Sequence, residues 1–320
     1  MTEHTQIITT IITSFLITLI LGPIVIPILH RLKVGQSIRD EGPKSHMQKS
    51  GTPTMGGLIM ITAICVTTLT SGNVNRDLYV ILFATISFGL IGFIDDFIKV
   101  VLKRNLGLKA YQKLIGQITV AIIIAVYQSS ISEYGTKILV PFINEEWDLG
   151  ILYIPFIVTV MVATANSVNL TDGLDGLAAG VTLIVSAFFS LVAINLGYSS
   201  IAAFCGALTG ACLGFLRFNA HPAKVFMGDT GSMALGGAIA AIAILMNLTL
   251  LIPIVGGIYF AEALSVILQV TSFKLTGKRI FRMSPLHHHF ELKGWKETKV
   301  VIVFWSITLV LCIVGLFSLN

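Results

Sequence analysis

Leu78-Tyr-Val-Ile-Leu-Phe-Ala-Thr-Ile-Ser-Phe-Gly-Leu-Ile-Gly-Phe-Ile-Asp95-Asp96-Phe97 runs without a charge until its acid pair. Ile98-Lys99-Val-Val-Leu-Lys103-Arg104 follows directly. At 1.5 Å per residue a helix over 78–97 is about 30 Å long, the thickness of a bilayer's hydrocarbon core. The basic cluster at its end is what anchors such a helix to a headgroup layer.

Similar apolar runs fill most of the chain. They predict transmembrane helices near 7–29, 53–71, 78–97, 114–128, 151–169, 176–196, 200–217, 231–248, 250–272 and 299–318. Of the 320 residues, 55% are hydrophobic and 12% charged, against roughly 25% charged in a soluble domain. The expectation is an all-α polytopic membrane protein of about ten transmembrane helices, forming one integral-membrane domain over 1–320. The N-terminal run has no basic n-region or small-residue cleavage site, so it is expected to stay as a helix. Cys65, Cys205, Cys212 and Cys312 all lie in apolar runs without a CxxC pair, and read as small buried hydrophobes.

Of the 21 Lys and Arg, all but Arg76 and Lys137 fall in four alternate inter-span segments. The first holds Arg31, Lys33, Arg39, Lys44 and Lys49, and the second Lys99, Lys103, Arg104, Lys109 and Lys113. Arg217 and Lys224 lie in the third, and the fourth runs from Lys274 to Lys299. Such segments stay in the cytoplasm, which predicts both termini periplasmic or extracellular. The formal charge of +5 is then topological, and nucleic acid is not an expected partner. On the outer side, two short apolar strips around Asn144-Glu145-Glu146 predict a hairpin over 136–150. Gly206, Gly210 and Gly214 recur every four residues, a spacing that lets helices approach closely in lipid. A transporter would carry its polar groups near the midplane, often within inverted repeats; here they sit at cytoplasmic span ends and no repeat is visible.

Five acids occupy those ends. Asp95 and Asp96 could be an interfacial pair reaching water beside Lys99. Adjacent like charges repel, however, and a helix C-terminus disfavours carboxylates. A divalent cation or a tuned base gives the pair a purpose. In Asn166-Ser-Val-Asn169-Leu-Thr-Asp172-Gly-Leu-Asp175-Gly176, Thr171 and Asp172 could cap the sixth helix. Two Asp, two Asn and two Gly exceed what a cap needs, and glycines there permit close approach to a ligand. Asp229, in Phe226-Met-Gly-Asp229-Thr-Gly-Ser232, could be an N-cap or a metal ligand at a helix N-terminus that favours anions. His287, His288 and His289 are consecutive and point in different directions on one element, so joint chelation is not expected. Contacts to a phosphate-bearing substrate suit them better. Glu262 lies well inside a span, where an acid is either functional or a helix-to-helix hydrogen-bond partner.

Lys49-Ser-Gly-Thr-Pro-Thr-Met-Gly-Gly57, Gly92-Phe-Ile-Asp95-Asp96, Asn166 to Gly176, Phe226 to Ser232 and Pro285-Leu-His-His-His-Phe-Glu291 together resemble the phospho-N-acetylmuramoyl-pentapeptide transferase family of bacterial cell-wall synthesis. The first four motifs are shared with the wider superfamily of polyprenyl-phosphate N-acetylhexosamine-1-phosphate transferases; the histidine run points to the muramoyl-pentapeptide branch. Met233 stands where Leu is common, and Val303 where Arg precedes the Phe-Trp pair. Neither departure touches a reactive group.

The resemblance implies transfer of phospho-MurNAc-pentapeptide from UDP-MurNAc-pentapeptide to undecaprenyl phosphate, giving lipid I and UMP, with Mg²⁺. It places the protein in the bacterial plasma membrane among lipids, with its active site on the cytoplasmic face, and leaves a homodimer open. It implies Asp229 as Mg²⁺ ligand with Asn166 nearby, Asp95 as the base that readies the lipid phosphate, and Asp96 in support. Lys49 and Lys113 would hold phosphates. Asn169, Asp172, Gly173, Leu174, Asp175 and Phe226 would form the uridine-diphosphate pocket, while His287, His288 and His289 would contact the sugar-peptide part. Whether Asp95 attacks covalently or acts as a base stays open in the sequence.

Overall fold

A computed structural model describes residues 3–32, 49, 51–71, 74–100 and 107–319. Lys33, Arg39, Lys44, Lys103 and Arg104 lie outside them. The helices are α1 (Glu3–Arg31), α2 (Gly57–Thr70), α3 (Arg76–Val100), α4 (Ala110–Ile131), α5 (Tyr153–Thr171), α6 (Leu177–Asn195) and α7 (Ser199–Asn219). They continue with α8 (Gly228–Leu245), α9 (Ile252–Val255), α10 (Gly257–Thr276), α11 (Leu286–Glu291) and α12 (Glu297–Phe317).

Nine helices among the described residues are long and apolar enough to cross a membrane. The expected second span is α2, whose 14 residues reach only about 21 Å as a helix. The expected ninth span is broken: α9 stops at Gly256 and α10 restarts at Gly257. The sixth helix is not capped by Thr171 or Asp172. Thr171 ends α5, and α6 begins after Gly176, whose φ of +79° suits a residue without a side chain. Asp229 is likewise no N-cap. It sits inside the first turn of α8, which starts at Gly228.

The bundle exposes large apolar side chains as a soluble protein does not, and within its apolar core it also buries polar ones. On α1, Ile8, Ile12, Leu16, Ile20, Ile24 and Ile28 form an exposed stripe, while Thr10, Ser14 and Thr18 are buried. That polar face meets the glycine stripe of α7: a Cβ on Gly206 would strike Thr10 and one on Gly214 would strike Thr18. Small residues thus set the helix spacing where lipid gives no hydrophobic drive.

At the centre stands α8, enclosed over 89% of its span against 17% for α1. Nine of its 18 residues are Gly or Ala, so α3 and α5 pack close on either side of it. Between α4 and α5, β1 (Lys137–Val140) and β2 (Glu145–Asp148) form the expected hairpin, antiparallel with Ile138 opposite Trp147. The Phe142 N–H donates to the Ser318 carbonyl at 2.8 Å, pinning it to the end of α12.

Candidate active site

The acid-rich motifs meet where α3, α5, α7 and α10 end and α2, α4, α6, α8 and α12 begin. Phe226 N–H donates to Pro53 O at 2.8 Å, while Gly56 and Gly57 donate to Phe226 O and Met227 O, each at 2.9 Å. These bonds draw the segment after Lys49 to the start of α8. Glycine permits the approach: a Cβ on Gly57 would collide with the Gly231 backbone, and one on Gly92 with the Asp229 carbonyl.

Asp96 reaches from α3 to that helix start. Its Oδ2 accepts from the Thr230 N–H at 2.9 Å and the Thr230 hydroxyl at 2.6 Å, and its Oδ1 from the Asp229 N–H at 3.2 Å. A carboxylate at the C-terminal end of one helix is thereby offset by the N-terminal end of another. Asp95 is fully buried. Its Oδ1 accepts from the Leu108 N–H at 2.7 Å, and its Oδ2 pairs with Lys99 at 2.5 Å and Lys113 at 2.8 Å. Both lysines also reach Asp229 Oδ2, at 3.0 and 2.6 Å, and Asp229 Oδ1 accepts from Asn169 Nδ2 at 2.9 Å.

Three carboxyl groups therefore face two ammonium groups, and the cluster has acid in excess. The oxygens of Asp95, Asp96 and Asp229 lie within 4.8 Å of one another. An all-oxygen donor set fits a hard divalent cation, and Asp229, with 18% of its side chain exposed, is the accessible member. Asn166 lies one helical turn from Asn169, but its amide is turned away and donates to Gln117 Oε1 at 2.8 Å.

A second cluster sits beside the first. Lys49 Nζ bridges Asp175 Oδ1 at 2.7 Å and Glu297 Oε1 at 2.6 Å. Glu297 Oε1 also accepts from the Asp175 N–H at 2.7 Å, and His221 Nδ1 lies 3.1 Å from Asp175 Oδ2. Asp175, His221 and Glu297 could also group around a metal, but the Lys49 ammonium already supplies the cation there. Between the clusters, Asp172 has its carboxyl pushed well above the usual value. Burial is the main cause, followed by the carboxylates of Asp229, Asp96 and Asp175.

Of the three histidines only His287 turns into the bundle. Its Nδ1 lies 3.0 Å from Glu262 Oε1, and its ring fills the hollow at Gly173. His288 pairs with Glu291 at 2.8 Å, and His289 Nδ1 accepts from the Arg282 N–H at 3.1 Å. Burial, then Lys293 and Arg282, push the His289 imidazole below its ordinary pKa. Leu174 is buried, while Phe226 keeps partial exposure.

Residues 78–247 match the Glycosyl transferase family 4 profile, and residues 49–61 match the phospho-N-acetylmuramoyl-pentapeptide-transferase signature 1. The chain is 69% identical to the phospho-N-acetylmuramoyl-pentapeptide-transferase of Alkaliphilus metalliredigens, covering 100% of both. It is 68% identical to that of Alkaliphilus oremlandii, with 99% of each covered, and 55% to that of Clostridioides difficile, with 98% of each covered. The chain belongs to the phospho-N-acetylmuramoyl-pentapeptide transferase family.

Membership in this bacterial family bears out the resemblance carried by the five motifs. Sequence reasoning passed over Lys99, Thr230, His221 and Glu297 as site members. Lys99 had a readable signal, four residues after Asp95 on one helix. The others are joined to their partners only by contacts more than 40 residues apart in the chain.

Proposed function

We propose that this chain transfers phospho-MurNAc-pentapeptide from its UDP carrier to undecaprenyl phosphate, yielding lipid I and UMP, with Mg²⁺ at Asp229 and the site open to the cytoplasm. The observation that carries this reading is the convergence of Asp95 and Asp229 on one ammonium, Lys113, at the helix ends. The Lys and Arg of the flanking segments support the cytoplasmic orientation.

Each group has a task consistent with its contacts. Asp95, oriented by the Leu108 N–H on Oδ1, takes the proton of the lipid phosphate at Oδ2 once Lys99 and Lys113, which share that oxygen, turn to the incoming phosphates. The freed phosphate oxygen bonds to the sugar-side phosphorus, the bond to the UMP oxygen breaks, and UMP leaves with that electron pair. Lys99 and Lys113 lie where negative charge gathers. When bound, Mg²⁺ supplies further neutralisation of the phosphoryl oxygens. Asp229 holds it, and Asn169 orients the Asp229 carboxylate. Asp96, engaged by three donors, keeps the first turn of α8 in place. Asp172, Gly173, Leu174, Asp175 and Phe226 surround the nucleotide, with Phe226 stacking on uracil. Lys49 holds a phosphate, and His287, His288 and His289 meet the sugar-peptide part.

The test offers purified protein undecaprenyl phosphate with either UDP-MurNAc-pentapeptide or UDP-GlcNAc and follows UMP release, with and without EDTA. Turnover of the muramoyl substrate that stops on chelation is expected. Turnover of UDP-GlcNAc alone would sink the assignment.

A further inference from the structure

Glu262 is a fully buried acid that the reaction as derived does not use. It lies on the buried stripe of α10 with Tyr259, Ser265 and Gln269. Two of these side chains bind the segment carrying the histidines. Gln269 Oε1 accepts from the Ile280 and Phe281 N–H groups, each at 2.9 Å, and its amide donates to Phe281 O at 2.9 Å. Two turns earlier, Glu262 accepts from the His287 backbone N–H at 3.2 Å and approaches its ring Nδ1 at 3.0 Å.

A carboxylate acceptor at that distance commits the Nδ1 hydrogen of His287 to Glu262. The other ring nitrogen, Nε2, is then left facing the Gly173 loop. Nε2 is buried with no hydrogen-bond partner among the described residues and lies against Gly173, where any Cβ would overlap the ring. Gly173 belongs to the loop that also presents Asp172 and Asp175. A buried ring nitrogen left unpaired is unfavourable until something pairs with it, and it is aimed at the nucleotide loop.

We propose that Glu262 is a positioning residue for the sugar-nucleotide substrate. It fixes which nitrogen of His287 faces the Gly173 loop, so that Nε2 meets a polar group of the bound sugar nucleotide. The inference rests on the proposed substrate contact of His287, and it requires Glu262 to act only through that histidine.

The experiment is a double-mutant cycle on the full chain, measuring KM and kcat for UDP-MurNAc-pentapeptide. Glu262→Gln keeps the shape and removes the charge. It is expected to raise KM about tenfold on its own and to change it less than about twofold in a His287→Ala background. Gly173→Ala, which displaces the ring from the other side, is expected to show the same dependence on His287. Losses that multiply in the double variants would overturn the inference and leave the substrate role of His287 intact. An unchanged KM in His287→Ala alone would remove that role and the inference with it.

Discussion

Asp96 and Thr230 are 134 residues apart, yet one carboxylate oxygen of Asp96 receives both the backbone N–H and the hydroxyl of Thr230. The end of α3 thus caps the start of α8, and the neighbouring Asp229 donates its own N–H to the other Asp96 oxygen. An acid pair that repels within α3 is made tolerable by a helix terminus supplied from elsewhere.

Removing that cap should cost stability before it costs chemistry. Asp96→Ala is expected to destabilise by about 2–3 kcal/mol, and Asp96→Asn, which keeps one acceptor oxygen, by about 1 kcal/mol. Thermal unfolding in detergent should rank wild type above Asn above Ala. Equal losses for the two variants would contradict the capping role.

Asp229→Asn should give a folded, membrane-inserted protein. Its UMP release under saturating Mg²⁺ should fall by roughly 10²–10³-fold, the scale for losing one preorganised charge contact. A Mg²⁺ titration of the variant checks this, and near-normal rates would move the metal away from Asp229.

Glu297 and Lys49 should prove coupled. Glu297→Ala is expected to cost about 1–3 kcal/mol, since it strips Lys49 of one carboxylate and leaves the Asp175 N–H unpaired. With Lys49→Met added, the combined loss should fall short of the sum by about 0.5–2 kcal/mol. Unfolding of the four proteins in one buffer measures it, and strict additivity would refute the coupling.

Asp172 gives a pH dependence with a definite sign. A carboxyl whose folded pKa is raised holds its proton more tightly in the folded state, so folding stability falls as pH rises from the unfolded value of 3.8 through the folded one. Asp172→Asn lacks that slope. In metal-free buffer the variant should be more stable than wild type at neutral pH, with the advantage vanishing toward pH 4. A variant less stable than wild type at neutral pH would show that burial and the neighbouring acids do not strain this group.

Much of the architecture was legible in residue order alone. Spans, alternating basic segments and the hairpin before α5 follow from local composition, because lipid solvates only apolar side chains and a helix needs a set length to cross it. The break at Gly256 was less legible, since the apolar run continues through it. The start of α8 at Gly228 depends on Asp96 capping it from another helix. The histidine run showed three rings diverging along one element, but not which of them enters the bundle.

The sequence by itself determined that the chain spans a membrane many times and carries five polar motifs at helix ends, in an order that marks its family. Those are local facts about which residues can sit in lipid and which cannot. Only the tertiary structure decided that Lys113 joins Asp95 to Asp229, that Lys49 belongs with Glu297, and that Glu262 holds His287. Each pairing joins residues from different elements, and helix packing set by glycine contacts determines which side chains meet.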